Sequence, residues 1–294
     1  MSAFELVVDT RSQLGECPLW SPAEQLLHFV DIKAGHIHSF EPKTGALGSM
    51  TLPEEVGCIG LSRRGGFVAG LRSGIWLLDG QGAPVEKLAD NPEDQQISRF
   101  NDGMVDPAGR FIAGTVDETR EKGIASLYRY DRRGLEKLAG GLLTSNGVAF
   151  SPDGGTLYHS DTLRYTVFAY DYDVATGAVS GKRVFARFTP TESDKGRPDG
   201  AAVDVEGCYW TALFEGGRVQ RYSPEGVLLA EFQTPVKCPT MVTFGGADMK
   251  TLYLTSARVG RPPEELAEFP HSGSLFAMRT DVAGVAKPLF NPES

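Results

Sequence analysis

The sequence predicts an all-β chain, a six-bladed β-propeller whose four-stranded blades surround a central channel, with residues 1–294 forming a single domain. Three observations carry this prediction. Glycine (35) and proline (18) punctuate the whole chain while helical spacing of apolar residues is almost absent, the pattern of many short strands separated by turns. An apolar strand–turn–strand unit recurs six times, and a second unit, an alternating strand closed by a turn, falls six times between those copies. Two such units make about four strands, and four-stranded units repeated radially are propeller blades.

In chain order the first unit reads PLWSPAEQLLHFVD, IGLSRRGGFVAGL, GMVDPAGRFIAGT, GVAFSPDGGTLYHSD, GAAVDVEGCYWTAL and MVTFGGADMKTLYLTSA. The second reads HIHSFEPKTG, IWLLDGQG, LYRYDRRG, VFAYDYDVATG, VQRYSPEG and LFAMRTDVAG. The segment FELVVD at residues 4–9 precedes the first full unit, so it is expected to pair with strands from the C-terminal end. Closure of that kind removes exposed sheet edges. A β-sandwich would have no reason to repeat, and two domains would need a linker that the sequence does not offer.

Composition bounds the function. With 41% hydrophobic and 23% charged residues the chain can bury a sizeable core. A net charge of -9 and a pI near 5.2, without clustered lysine and arginine, argue against nucleic acid or anionic membranes as partners. The N-terminal MSAFELVVDTRSQLGE lacks a basic start followed by an apolar run, and no stretch of 18 apolar residues follows, so a cytoplasmic monomer is the expectation. Cys17, Cys58, Cys208 and Cys238 are widely spaced with no C-x-x-C and read as buried free thiols.

The turns of the first unit open at Ser21, Ser62, Asp106, Ser151, Asp204 and Gly245. Five residues earlier stand Glu16, Gly57, Asn101, Asn146, Asp199 and Thr240, which a propeller would place around one mouth of its channel. Four of them carry a carboxylate or carboxamide at the head of otherwise apolar strands. Asn146-Gly147 and Asp199-Gly200 are also ordinary turn dipeptides, but Glu16 has no turn-forming reason to be there. A buried acid needs a cation or a hydrogen-bond partner. Two carboxylates and an amide oxygen, completed by water, suit one divalent ion, Ca²⁺, Mg²⁺ or Mn²⁺, and also admit zinc. No histidine falls in the ring; His28, His36, His38, His159 and His271 read as structural or solvent-facing. There is no G-x-S-x-G, and Ser145 beside Asn146 has no evident histidine partner. The glycine pairs sit at turns and form no phosphate-binding loop, and Trp20, Trp76 and Trp210 read as packing between blades.

At Glu16, Arg99 to Gly103, Asn146 and Asp199 the sequence resembles the gluconolactonase family that includes regucalcin. The likeness extends over essentially the whole chain, through GECPLW, RFNDGMVDPAGRFIAGT, SNGVAFSPDGGTLYHSD, YTVFAYDYDVATGAVSGKRVF, PDGAAVDVEG and FGGADMKTLYLTSA. The resemblance implies a six-bladed propeller in which Glu16, Asn146 and Asp199 bind the metal, Arg99 and Asn101 contact substrate, and Asp199 takes part in proton transfer. It also implies a small-molecule partner, a sugar lactone hydrolysed to its aldonic acid. Some relatives carry a substrate-contacting acid where this chain reads GTVDET; Asp117, Glu118 and Thr119 are candidates, and Glu118 is the one chosen. Asp102 is expected to brace the loop rather than touch substrate, and Gly103 to turn into the strand. The competing function is a non-catalytic propeller that binds calcium or a protein partner.

Overall fold

The structure, a computed structural model, describes residues 3–294 and consists of six four-stranded antiparallel sheets. Blade 1 is built from Gly15–Ser21, Leu26–Asp31, His36–Glu41 and Ala46–Thr51, and blade 2 from Val56–Leu61, Phe67–Leu71, Gly74–Leu78 and Pro84–Asp90. Blade 3 follows with Ser98–Val105, Phe111–Asp117, Ala125–Asp131 and Gly134–Leu142, then blade 4 with Ser145–Phe150, Thr156–Asp161, Thr166–Tyr172 and Val179–Arg187. Blade 5 contains Arg197–Val203, Tyr209–Phe214, Arg218–Tyr222 and Leu228–Gln233. Blade 6 takes Pro239–Gly245, Thr251–Ser256 and Leu275–Arg279 from the end of the chain and Glu5–Val8 from its beginning. The N-terminal strand closes the ring as its sequence position predicts, pairing Glu5 with Ala277 and Leu6 with Phe276.

Burial explains why the two repeating units look different. Innermost strands such as Gly15–Ser21 and Ser145–Phe150 are covered on both faces and are buried along their length, so they read as apolar runs. Outermost strands such as Ala46–Thr51 face solvent and tolerate polar side chains. Adjacent blades interlock through large side chains: Trp20 of blade 1 stacks on Tyr253 of blade 6, and Trp210 of blade 5 meets Phe244 of blade 6 edge-on. Trp76 instead bonds Ser73 within its own blade. All four cysteines are free and buried.

The turn openers are caps with a mechanism. Asp106 Oδ1 accepts from the amides of Ala108 and Arg110, and Asp204 Oδ1 from those of Glu206 and Cys208. Ser21, Ser62 and Ser151 accept similarly through their hydroxyls. At the mouth where these turns lie, the C-terminal segment straps the ring. Val285 bonds Val203 in blade 5, Phe290 bonds Leu61 in blade 2, and Asn291 bonds Gly109 in blade 3.

The two dipeptides that read as turns in isolation, and Gly103, are not turns. Asn146-Gly147 and Asp199-Gly200 lie inside innermost strands, and so does Gly103, whose added Cβ would stand 2.5 Å from the Ile112 carbonyl oxygen. They mark β-bulges: every innermost strand loses register at this point, for example between Phe100 and Gly103 and between Asn146 and Ala149. Ser145 does have a histidine partner, contrary to the sequence reading. Its Oγ lies 2.8 Å from His159 Nε2. The sequence hid the pair because it forms between two neighbouring strands of blade 4, far from any motif. Both residues are fully buried, His159 Nδ1 has no partner, and neither lines the cavity that holds the ring residues, so no acid orients the imidazole toward catalysis there.

Two predictions follow from packing. Gly57 lies where a Cβ would come within 2.2 Å of the Phe100 carbonyl oxygen, so Gly57→Ala forces backbone apart and should cost about 3 kcal/mol in a urea titration. Gly80→Ala, which meets nothing within 4 Å, should be near neutral in the same assay. Burial holds the His159 imidazole down to about 3, against an ordinary 6.5, so the unfolded chain takes up this proton first as pH falls. Stability from the neutral imidazole is whole above 6.5 and drains between there and about 3, by about 2 kcal/mol from pH 7 to pH 5. His159→Gln should remove that much of the wild-type difference between the two pH values, and the wild-type His159 ring proton resonances should not titrate down to pH 5.

Candidate functional site

The bulges turn ring residues into the channel. Glu16, Asn101, Asn146 and Asp199 line one cavity of about 590 Å³ at the mouth opposite the C-terminal strap. Each is less than a tenth exposed. Glu16 is helped by strain: Cys17 beside it sits at φ +45°, uncommon for a residue with a side chain, and its amide donates to Glu16 Oε2. The two remaining ring members do not reach the cavity. Gly57 is bare because the Phe100–Asn101 backbone occupies its side-chain space, and the Thr240 hydroxyl is spent on the Gly15 carbonyl at 2.5 Å.

A chain of hydrogen bonds orients the amides. Thr162 Oγ1 donates to the Pro198 carbonyl, so it can only accept from Asn146 Nδ2, at 2.8 Å. The Asn146 oxygen is thereby turned the other way, where it accepts from Asn101 Nδ2 at 2.6 Å with a lone pair to spare. Asn101 Oδ1 in turn accepts from Arg99 Nη1 at 2.7 Å. Blades 3, 4 and 5 are linked, and no amide is free to flip.

The charges are not balanced. Burial and the Asp102 charge push Glu16 up to about 8, and burial with the charges of Glu16 and Asp102 pushes Asp199 well above the ordinary carboxylate range. Burial lifts Asp102 to about 6 despite donation from Val148 and Gly103. Asp199 Oδ1 is buried without a hydrogen-bond partner. An orphaned carboxylate oxygen beside a second buried carboxylate and an amide oxygen with an open lone pair fits a hard divalent cation. Asp102 braces the strands, as the sequence suggests, through the Gly103 and Val148 amides. The exposed-to-buried trio Asp204, Glu206 and Cys208 is no rival, because both Asp204 oxygens are filled by amides, Trp210 and Arg221.

Glu118 faces the cavity, but its oxygens are held by Arg72 at 3.0 Å and Lys33 at 3.3 Å. Glu55 shares both cations, and Arg99 Nε lies 3.7 Å from each of the two glutamates. Glu118 and Glu55 thus steer Arg99 from behind. Lys33, Glu55, Arg72, Thr162 and Glu215 escaped the sequence reading. A signal was present: Arg72, Glu118, Thr162 and Glu215 each directly follow the second strand of a blade, so carrying the repeat alignment to that point would have found them.

Comparison with known proteins shows the family. The family model described as SMP-30/gluconolactonase/LRE-like region matches residues 14–258. The chain is 50% identical over 290 residues to 6-deoxy-6-sulfogluconolactonase of Pseudomonas putida, covering 98% of each chain. It is 35% identical over 296 residues to a pentonolactonase of Haloferax volcanii, covering 98% of this chain and 97% of that one. In three dimensions it is similar to the calcium-binding protein regucalcin from Agrobacterium tumefaciens, with a TM-score of 0.93 at 28% identity over 99% of this chain and 98% of that one. The chain belongs to the SMP-30/gluconolactonase family.

Proposed function

We propose that this protein is a metal-dependent sugar lactonase that opens a cyclic aldonate ester to the aldonic acid. The observation that carries the reading is one cavity in which an unpartnered Asp199 oxygen and the Glu16 carboxylate face the fixed guanidinium of Arg99 and the Asn101 amide oxygen. The relatives from Pseudomonas putida and Haloferax volcanii, named as lactonases, support it. Glu16, Asn146 and Asp199 would hold the cation. When bound, a divalent ion polarises a carbonyl and makes water acidic enough to attack near neutral pH.

The side chains supply the rest. Hydrolysis adds a water oxygen to the lactone carbonyl carbon, breaks the bond from that carbon to the ring oxygen, and moves one proton from water to the departing alkoxide. Asp199, buried and short of hydrogen bonds, is the group placed to take the proton and return it to the ring oxygen. Arg99 is buried, and its guanidinium is held by Asn101 on one side and the two glutamates on the other. A preset donor fork positions a hydroxyl-rich ring without losing entropy at the moment of reaction. Asn101 donates both Nδ2 hydrogens, to the Ser145 carbonyl and to Asn146 Oδ1, so it offers every substrate molecule the remaining lone pair of an oxygen held in place by Arg99.

Acid release from pentono- and hexonolactones, measured above spontaneous hydrolysis, should vanish with chelator and return with added divalent cation. Metal bound without turnover on any lactone would instead leave a calcium-binding, non-catalytic propeller. Asp199→Asn should lower kcat by about a thousandfold or more, as loss of a general base does; full activity in a metal-loaded Asp199→Asn protein would remove Asp199 from proton transfer. Arg99→Lys should cost about tenfold to a hundredfold in kcat/KM with metal stoichiometry unchanged, because a single ammonium cannot replace the fork.

A further inference from the structure

One wall of the cavity carries guanidinium groups that take no direct part in the hydrolytic steps, although the Arg197 charge partly offsets the upward push on Asp199. Arg197 opens the innermost strand of blade 5, two residues ahead of Asp199, and Arg120 follows the second strand of blade 3; both line the cavity. Arg197 Nη2 pairs with Glu215, but its Nε is buried with no hydrogen-bond partner. Glu215 is itself divided, since its other oxygen accepts from Arg261 Nη1 at 2.6 Å. Arg120 has no ion pair among the described residues and is exposed at the cavity rim.

The nearby acids cannot make up the difference. Glu118 is committed to Arg72 and Lys33, and Asp117 to the Thr119 and Gly123 amides. With Glu16 and Asp199 assigned to a cation, this part of the mouth holds surplus positive charge and one buried donor with nothing to receive it. A buried donor left unmade costs on the order of 1–3 kcal/mol, so the arrangement makes sense when a ligand completes it. A neutral hydroxyl would satisfy the Nε–H and leave the charge standing. An oxyanion satisfies both, and guanidinium forks match its paired oxygens.

Resting on the lactonase reading, we propose that the lactone taken by this site bears an anionic group at the end remote from the reacting carbonyl, and that Arg197, assisted by Arg120, binds that group. Sulfonate, phosphate and carboxylate share the required chemistry. Arg197 stands on the same strand as Asp199 but nearer the mouth, so it meets the far end of a six-carbon lactone whose carbonyl lies at the buried acids.

The test compares kcat/KM for gluconolactone with its counterparts bearing sulfonate, phosphate or carboxylate at carbon 6. At least one anionic lactone should exceed the neutral one by tenfold or more, and its KM alone should rise as salt is raised from 0.05 to 0.5 M, a range over which exposed charge is strongly screened. The salt series uses the wild-type protein, so it stands even where a variant folds poorly. Arg197→Gln and Arg120→Gln should each shrink the anionic-to-neutral ratio by severalfold to tenfold, with partial recovery in Arg197→Lys. Preference for the neutral lactone, or a ratio indifferent to salt and to both substitutions, overturns the anion subsite while leaving the lactonase reading intact. Hydrolysis of none of the four overturns the anion subsite, and the lactonase reading falls with it only if pentonolactones also go unhydrolysed.

Discussion

Antiparallel pairing of Glu5–Val8 with Leu275–Arg279 is the contact on which everything else depends, because it joins the two ends of the chain within one blade. Without it blade 6 would be a three-stranded remnant with the Leu275–Arg279 edge unpaired, and no segment of chain would tie blade 1 into blade 6. The same seam is riveted from inside. Thr240 bonds the Gly15 carbonyl, Ser12 bonds Gly273, and Trp20 stacks on Tyr253. Glu16 follows Gly15 directly, so the bond that closes the ring also positions a site carboxylate.

Closure brings six innermost strands to one axis, where Gly57, Gly147 and Gly200 stand too close to the neighbouring blade to carry a side chain. All six break register with the second strand of their blade, and at Glu16, Asn101, Asn146 and Asp199 the break coincides with a side chain in the channel. Where space fails altogether, as at Gly57, no side chain is present. The result is a mouth lined with oxygen atoms above a core that is otherwise apolar. Burying Glu16, Asp102 and Asp199 together opposes folding, and the amide donors of Cys17, Gly103 and Val148 offset only part of that cost. Hydrolytic chemistry needs such a place: low dielectric, unscreened charge and donors that do not move.

The two mouths divide the labour. On one side, Lys33, Glu55, Arg72, Glu118 and Arg99 form a network of alternating charge across blades 1, 2 and 3, which holds Arg99 without neutralising the cavity. On the other, the C-terminal segment binds blades 5, 2 and 3, and Lys287 reaches up to the Pro18 carbonyl beneath the acids. A ring so strapped resists the splaying that would separate ligands on different blades, and the site can be wide yet rigid.

The sixfold count, the closing strand and the ring Glu16, Asn101, Asn146 and Asp199 were legible in the sequence because each depends on register, and register repeats with the turns that Ser21, Asp106 and Asp204 cap. Ser145 with His159, the strand character of Gly103, and the partners of Glu118 were not legible, because each depends on what lies across a strand or on the next blade. By itself the sequence determined which residues recur at equivalent depth, since local turn chemistry and strand alternation set that. Only the tertiary structure decided which of them meet, for packing each blade on the next brings Arg99 to Glu55 and Asn101 to Asn146 over chain separations that no local interaction spans.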